Sequence, residues 1–175
     1  MNYQAHRIGG ICAAGVVATM MYNKTLDQPE AYIAIGLSVV GGAIGGLLPD
    51  IDHPTSKVGR RVPFISKPIN AVFGHRGFTH SILAALLFTY LLFMLTSVLP
   101  GGFIGFYLPL VIGLSVGYVS HLLLDMLTVS GIPLFYPLSK KSFRLARLRS
   151  GRDDLMVSII VTLGTVTYLY IYLGI

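Results

Sequence analysis

Charge is scarce in this chain. Only 11% of its 175 residues are charged, against 54% hydrophobic, where an ordinary soluble domain has roughly a quarter charged. The balance excludes a soluble fold and fits a single membrane domain over residues 1–175. Cysteine is almost missing. Cys12 stands alone, which excludes an intramolecular disulfide and a Cys-based zinc cluster and leaves it as a small buried apolar residue. There is no P-loop and no Cys and His arrangement of catalytic type, and the one GxSxG string, Gly113 to Gly117, lies inside an apolar run with no strand before it, so serine-hydrolase and nucleotide-driven chemistry have nothing to rest on. The glycines of "VVGGAIGGLLPD" follow no strand and open no soluble βαβ unit, which removes a dinucleotide-binding reading. Their small-x-x-x-small spacing predicts close helix packing instead.

What the chain has is long apolar runs. Ala31 to Leu48, Ser81 to Leu99, Phe103 to Ser120 and Leu155 to Ile175 are each of the length, about 18 residues or more, that crosses a hydrocarbon core of roughly 30 Å as a helix. A shorter run from Ile8 to Tyr22 is rich in Gly and Ala. It has the length of a signal peptide but no convincing small-x-small cleavage site before Asn23, so it is expected to be retained as a first, tilted helix packed through its small residues. The fold class predicted is all-α: a polytopic bundle of about five membrane helices with a metal site at its cytoplasmic end.

That orientation follows from the basic residues. Lys57, Arg60, Arg61, Lys67 and Arg76 lie between the second and third predicted helices, and Lys140, Lys141, Arg144, Arg147, Arg149 and Arg152 between the fourth and fifth. Two helices separate these stretches, so they share a side, and an excess of Lys and Arg marks it as the cytoplasm. The net charge of +6 is then topology and attraction to anionic headgroups, and no nucleic acid is expected as ligand because no basic and aromatic stacking module is visible.

The seven acidic residues and five histidines are unevenly placed. His6 starts the first helix; Asp50, Asp52 and His53 end the second; His75 and His80 precede the third; His121 and Asp125 close the fourth. These groups come to one level of the membrane. Residues four apart share a helical face, so His121 and Asp125 point a nitrogen and an oxygen at one place. An ionisable pair inside "SHLLLDMLT" is costly unless it meets a partner, a metal or a watery cavity. Taken singly, each has a plainer reading: a helix-packing hydrogen bond for His121 and Asp125, a helix end for Asp50, a solvated loop for His53, a turn cap for Asp52. One metal site explains them together. Carboxylate and imidazole without thiolate suits Zn, Mn or Fe, and the number of candidates favours either two ions bridged by Asp50 or Asp52, or one ion with supporting groups around it.

Three stretches, "LLPDIDHPTSKVGRR", "ISKPINAVFGHRGFTHS" and "GYVSHLLLDMLTVSGIPLFYPL", closely resemble the YdjM-type family of membrane-bound, metal-dependent hydrolases, bacterial inner-membrane proteins under damage-response control. The likeness runs from about Gly46 to Arg144. It implies a multi-pass inner-membrane location and metal-binding roles for Asp50, Asp52, His53, His80, His121 and Asp125, with His6 matching an amino-terminal histidine common in such proteins. More distantly, the helical His/Asp arrangement is similar to that of zinc-dependent phospholipase C enzymes, which implies a phosphoester substrate. Relatives often carry a glutamate after a glycine-containing turn near the last helix; here the stretch is "SGRDDLM", where Asp153 or Asp154 takes that place.

The mechanism expected is attack by an activated water on phosphorus or a carbonyl carbon, with Asp52 taking its proton and Arg76 clamping an anionic substrate oxygen. His75 is expected to orient a ligand. The loop "SGIPLFYPLSKKSFRLARL" is expected to lie along the headgroup layer and close over the site. The competing reading is a non-enzymatic metal protein, either a transporter, whose ligands belong near the bilayer midplane, or a scaffold with a closed metal shell. Membrane lipids and a phosphoester are the partners implied.

Overall fold

In the computed structural model, which describes residues 1–174, polar caps open the helices where the apolar runs meet water. Asn2 accepts the Ala5 amide at 2.9 Å and opens α1 (Tyr3–Tyr22). Pro29 and Glu30 occupy the first turn of α2 (Pro29–Gly45), where a missing amide and a negative charge both suit the helix N-terminus. α3 (Pro63–Phe73) also starts on proline, and Ser81 caps α4 (Ile82–Thr96) by accepting the Ala84 amide at 3.1 Å. α5 (Gly101–Met126) and α6 (Asp154–Leu173) complete six helices, with no strand among the described residues.

The helices differ from the apolar runs in three informative ways. α1 begins at Tyr3, five residues before the run at Ile8, and so takes His6 onto its first turns. α5 continues past Ser120 to Met126, which puts His121 and Asp125 on one helical face. α4 has only 15 residues, about 22 Å at 1.5 Å per residue. Three segments are long and apolar enough to cross a membrane: Pro29–Asp52, Gly101–Met126 and Asp154–Leu173. α3 was not foreseen; its basic and proline residues break the hydrophobic pattern on which the helix reading relied.

Contacts along the helices set their directions. Asn2 on α1 touches Asp154 at the start of α6, and Met20 touches Tyr168 at the far end, so α1 and α6 run parallel. Ser38 of α2 donates to the Pro109 carbonyl of α5 at 2.9 Å, and Gly46 meets His121 at the other end, so α2 and α5 are parallel too. Tyr118 of α5 reaches back to Thr79 and Tyr107 to Leu92, which makes α4 antiparallel to α5. The starts of α1, α4 and α6 and the ends of α2 and α5 therefore meet at one end of the bundle.

Glycine makes this convergence possible. A Cβ on Gly10 would strike the Gly42 carbonyl, one on Gly45 the Leu114 carbonyl, one on Gly113 the Ser38 carbonyl, and one on Gly117 the Gly42 carbonyl. α1, α2 and α5 thus pack backbone to backbone, the arrangement small residues allow in a membrane where apolar burial alone brings helices no closer. Outside this trio, α4 and α6 leave Leu86, Tyr90, Leu91, Leu155, Ile160, Leu163 and Ile171 exposed, a surface suited to lipid.

Replacing a packed glycine tests the arrangement. Gly42→Val is expected to destabilise the solubilised protein by roughly 1–3 kcal/mol or more, as overpacking against rigid backbone does. Gly36→Val should leave the thermal midpoint in detergent unchanged, because a Cβ there meets nothing within 4 Å. Equal midpoints for the two variants would disprove the close trio.

Candidate metal centre

The site begins with one turn of α5. His121 is fully buried, and its Nδ1 lies 2.8 Å from the Gly46 carbonyl at the end of α2. A carbonyl only accepts, so Nδ1 carries the proton and Nε2 is left with a lone pair. His80, also fully buried, is held in the same sense: its Nδ1 lies 3.1 Å from Asp52 Oδ2, which leaves its Nε2 free. Those two Nε2 atoms face each other at 3.2 Å. Two lone pairs at that distance repel, and a cation between them turns repulsion into attraction.

Carboxylates surround the pair. Asp50 Oδ1 lies 4.0 Å from His80 Nε2 and 3.8 Å from His121 Nε2, while Asp125 Oδ2 lies 3.8 and 3.9 Å from the same two atoms. Four N and O ligands set tetrahedrally at about 2.0–2.1 Å from zinc stand about 3.4 Å from one another, and Asp50, His80 and His121 approach that spacing. His6 supports the same reading. It is completely buried and stacks on His121 with ring centroids 3.6 Å apart, yet neither of its ring nitrogens has a hydrogen-bond partner among the described residues. Its Nε2 is 3.2 Å from Asp125 Oδ1, close but not in hydrogen-bonding geometry. An unsatisfied buried imidazole is expensive; a metal ion satisfies it. Two overlapping groups can therefore hold an ion, His6 with His121 and Asp125, and Asp50 with His80 and His121. Asp125 spans them, one oxygen toward each.

The remaining expected residues stand around this cluster. Asp52 is buried and its carboxylate is fully engaged: Oδ1 with His75 Nδ1 at 3.0 Å, Oδ2 with the Arg76 amide at 3.0 Å, with His80 and with the Thr79 hydroxyl. The structure thus places it behind His80 rather than at the ligand level, with both of its oxygens already accepting hydrogen bonds. His53 lies outside both groups. Its Nδ1 pairs with the Thr55 hydroxyl at 2.9 Å and its ring stands edge-on to His75. Arg76 adopts a left-handed backbone, φ 57°, which turns its amide onto Asp52 while its guanidinium reaches Asp125 Oδ2 at 3.0 Å. Asp154 accepts the Asn2 and Gly151 amides at 3.2 and 2.7 Å and so ties α1 to α6, and Asp153 is bound by Arg149 and Arg152; neither carboxylate belongs to either ion-holding group. Thr79, the Gly46 carbonyl and Tyr118, whose hydroxyl donates to the Thr79 carbonyl, were missed. Thr79 stands beside a candidate ligand in "GFTHS", the one available hint; nothing in a sequence marks a backbone carbonyl as a partner.

Comparison with known proteins places the chain. Residues 1–174 match the family described as YdjM inner membrane protein. The uncharacterized protein YvsG of Bacillus subtilis is 38% identical over 174 residues, covering 97% of this chain and 95% of that protein. The inner membrane proteins YdjM of Escherichia coli and of Shigella flexneri are each 54% identical over 93 residues, 52% of this chain and 44% of theirs. No solved structure matches.

Loss of either central ligand should empty the cluster. His121→Ala and Asp125→Ala are each expected to lower the metal content of the purified protein severalfold or more, measured by elemental analysis, while membrane insertion persists because the apolar runs set it. Asp153→Ala should hold as much metal as the parent. Unchanged metal in the first two variants would leave His121 and Asp125 as a packing pair.

Proposed function

The chain belongs to the YdjM inner membrane protein family, and from that premise we propose that it is a membrane-bound, metal-dependent hydrolase acting on a phosphoester at the cytoplasmic face of the bacterial inner membrane. The observation that carries the reading is the pair of facing Nε2 atoms of His80 and His121, 3.2 Å apart and each fixed by a partner on its other nitrogen. Asp50, His80, His121 and Asp125 would hold a divalent ion, zinc or manganese by the donor set, with His6 completing the shell or contributing to a second ion. When bound, such an ion supplies Lewis acidity and activates water at neutral pH.

The protein groups divide the remaining work. Asp52 and the Gly46 carbonyl fix the tautomers of His80 and His121, as outer partners of metal-binding imidazoles do. Asp50 is the most exposed cluster carboxylate, 22% against 1% for Asp52 and Asp125, so the water proton is assigned to Asp50 in place of Asp52. Arg76 is next to Asp125 and partly open to solvent; it binds an anionic oxygen of the substrate and offsets charge developing there. Water adds across the P–O ester bond, one product keeping the phosphorus and the other leaving as an alcohol.

The cytoplasmic orientation rests on the shared end. The segment between α2 and α4 holds Lys57, Arg60, Arg61 and Lys67, the segment between α5 and α6 holds Lys140 to Arg152, and both lie at the end where the cluster sits. Reporter fusions after Arg61 and Arg147 should report cytoplasm, and fusions near Asp27 and Gly101 the outside; opposite locations for the first two would contradict the bundle directions.

Two amides separate the carboxylate roles. Asp52→Asn should weaken metal retention or activity about 10–100-fold and recover its rate when metal is raised. Asp50→Asn removes both an ion-holding oxygen and the proton acceptor and should lose roughly 10²–10⁴ in rate, of which added metal restores only the part that the measured metal loss accounts for. Rates would be followed on a panel of lipid and soluble phosphoesters alongside metal content. A metal-loaded parent that hydrolyses no phosphoester or acyl ester would make the cluster a structural anchor and end the hydrolase reading.

A further inference from the structure

One cavity is lined by Arg76 and a second shares Tyr136 with it, and they differ in chemistry. One, of about 230 Å³, is lined by His75, Arg76, Tyr136 and Lys140, with Phe73 and Pro133 closing it. The other, of about 250 Å³, is apolar, lies between Ile82, Leu83 and Leu86 of α4 and the Leu134–Leu138 loop, and also has Tyr136 in its wall. The loop is pinned there, since Leu134 accepts the Ile82 amide at 2.9 Å. α4 continues from this point as a nearly all-apolar helix with Leu83, Leu86 and Leu87 exposed.

The two spaces share Tyr136 as a wall and together offer an amphipathic path, cationic at Arg76 and apolar along the exposed flank of α4. Arg76 has donor capacity to spare: its Nε is buried and unpartnered among the described residues, while its Nη2 is 3.0 Å from Asp125. Lys140 adds a second positive charge to the same cavity. A soluble phosphoester needs the cationic part alone. A bilayer phospholipid uses both parts, its phosphate at the level of Arg76 and its chain already lying beside α4.

We propose that this path binds one anionic membrane phospholipid, with the phosphate between Arg76 and Lys140 and an acyl chain between α4 and the Leu134–Leu138 loop. The inference rests on the hydrolase reading only in naming this lipid as the substrate; the binding itself does not depend on turnover. The lipid enters sideways from the leaflet, so its headgroup reaches the cluster without the chain leaving the apolar phase.

The chain contains no tryptophan, so a single introduced one reports without background. Phe135→Trp places it in the apolar wall, and Leu163→Trp places it on the exposed surface of α6. Each protein would be set in phosphatidylcholine vesicles containing increasing brominated phosphatidic acid. Quenching at residue 135 should saturate at a mole fraction at least about fivefold below that needed at residue 163, and Lys140→Glu in the Phe135→Trp protein should shift that saturation upward at least about fivefold. Lys140 is exposed, so its replacement leaves the fold intact. Identical curves at 135 and 163 would mean bulk lipid contact only and would overturn the proposal. So would reversal of the quenching by inorganic phosphate and by short-chain and long-chain lipids alike, since only the anion would then be recognised; the hydrolase reading would survive that result. Saturable quenching by a lipid that the metal-loaded protein leaves intact would keep the lipid site and overturn only the naming of that lipid as the substrate.

Discussion

The approach of three backbones governs this molecule. α1, α2 and α5 meet where Gly10, Gly42, Gly45, Gly46, Gly113 and Gly117 leave no side chain between them, and that contact sets the level of every group at the polar end. With α2 held against α5, the Gly46 carbonyl falls beside His121 Nδ1. With α1 held against α2, His6 comes to stack on His121. Helices separated by ordinary apolar side chains pack 8–10 Å apart, and a backbone carbonyl would then fall short of the imidazole on its neighbour. The glycines therefore set the geometry of the histidine and aspartate cluster, although none contributes a side chain to it.

Charge is arranged around that contact in two layers. Asp52 stands one bond behind His80 and gathers His75, the Arg76 amide and Thr79, so its negative charge is shared among donors before it reaches the cluster. Asp125 lies in the cluster itself, against His6, Arg76 and the Met1 amino group. A buried carboxylate without such partners would cost several kcal/mol. The turn at Arg76, with its left-handed φ, lets one residue serve both layers: its amide binds Asp52 and its guanidinium binds Asp125.

Much of this was legible in the residues. The helical class, the glycine packing and the gathering of Asp50, His80, His121 and Asp125 at one end follow from hydropathy, from small-residue spacing and from the i, i+4 relation of His121 and Asp125. Asp52 and His53 illustrate the limit. In "PDIDHP" three polar residues within four positions read as equivalent, but a single turn of 3₁₀ helix over Pro49–Asp52 sends Asp50 toward the Nε2 atoms of His80 and His121 and Asp52 behind His80, toward its Nδ1, His75 and the Arg76 amide, and the extended backbone at His53 turns that ring out to Thr55 and His75. Local backbone direction decides roles there, and hydropathy carries no information about it. α3 was illegible for a similar reason, because Lys67 and Pro68 mask the short amphipathic pattern around Phe64 and Val72.

The 15 residues of α4 have a consequence for the bilayer. An apolar helix of about 22 Å next to a hydrocarbon core of about 30 Å leaves several ångströms of mismatch, and lipid in contact with a short helix thins to meet it at a cost of fractions of a kcal/mol per ångström. A leaflet that meets α4 along its whole apolar length would dip beside it. Headgroups there would sit deeper and their chains would be more disordered than in undisturbed bilayer, and membranes that are thin to begin with would oppose this least.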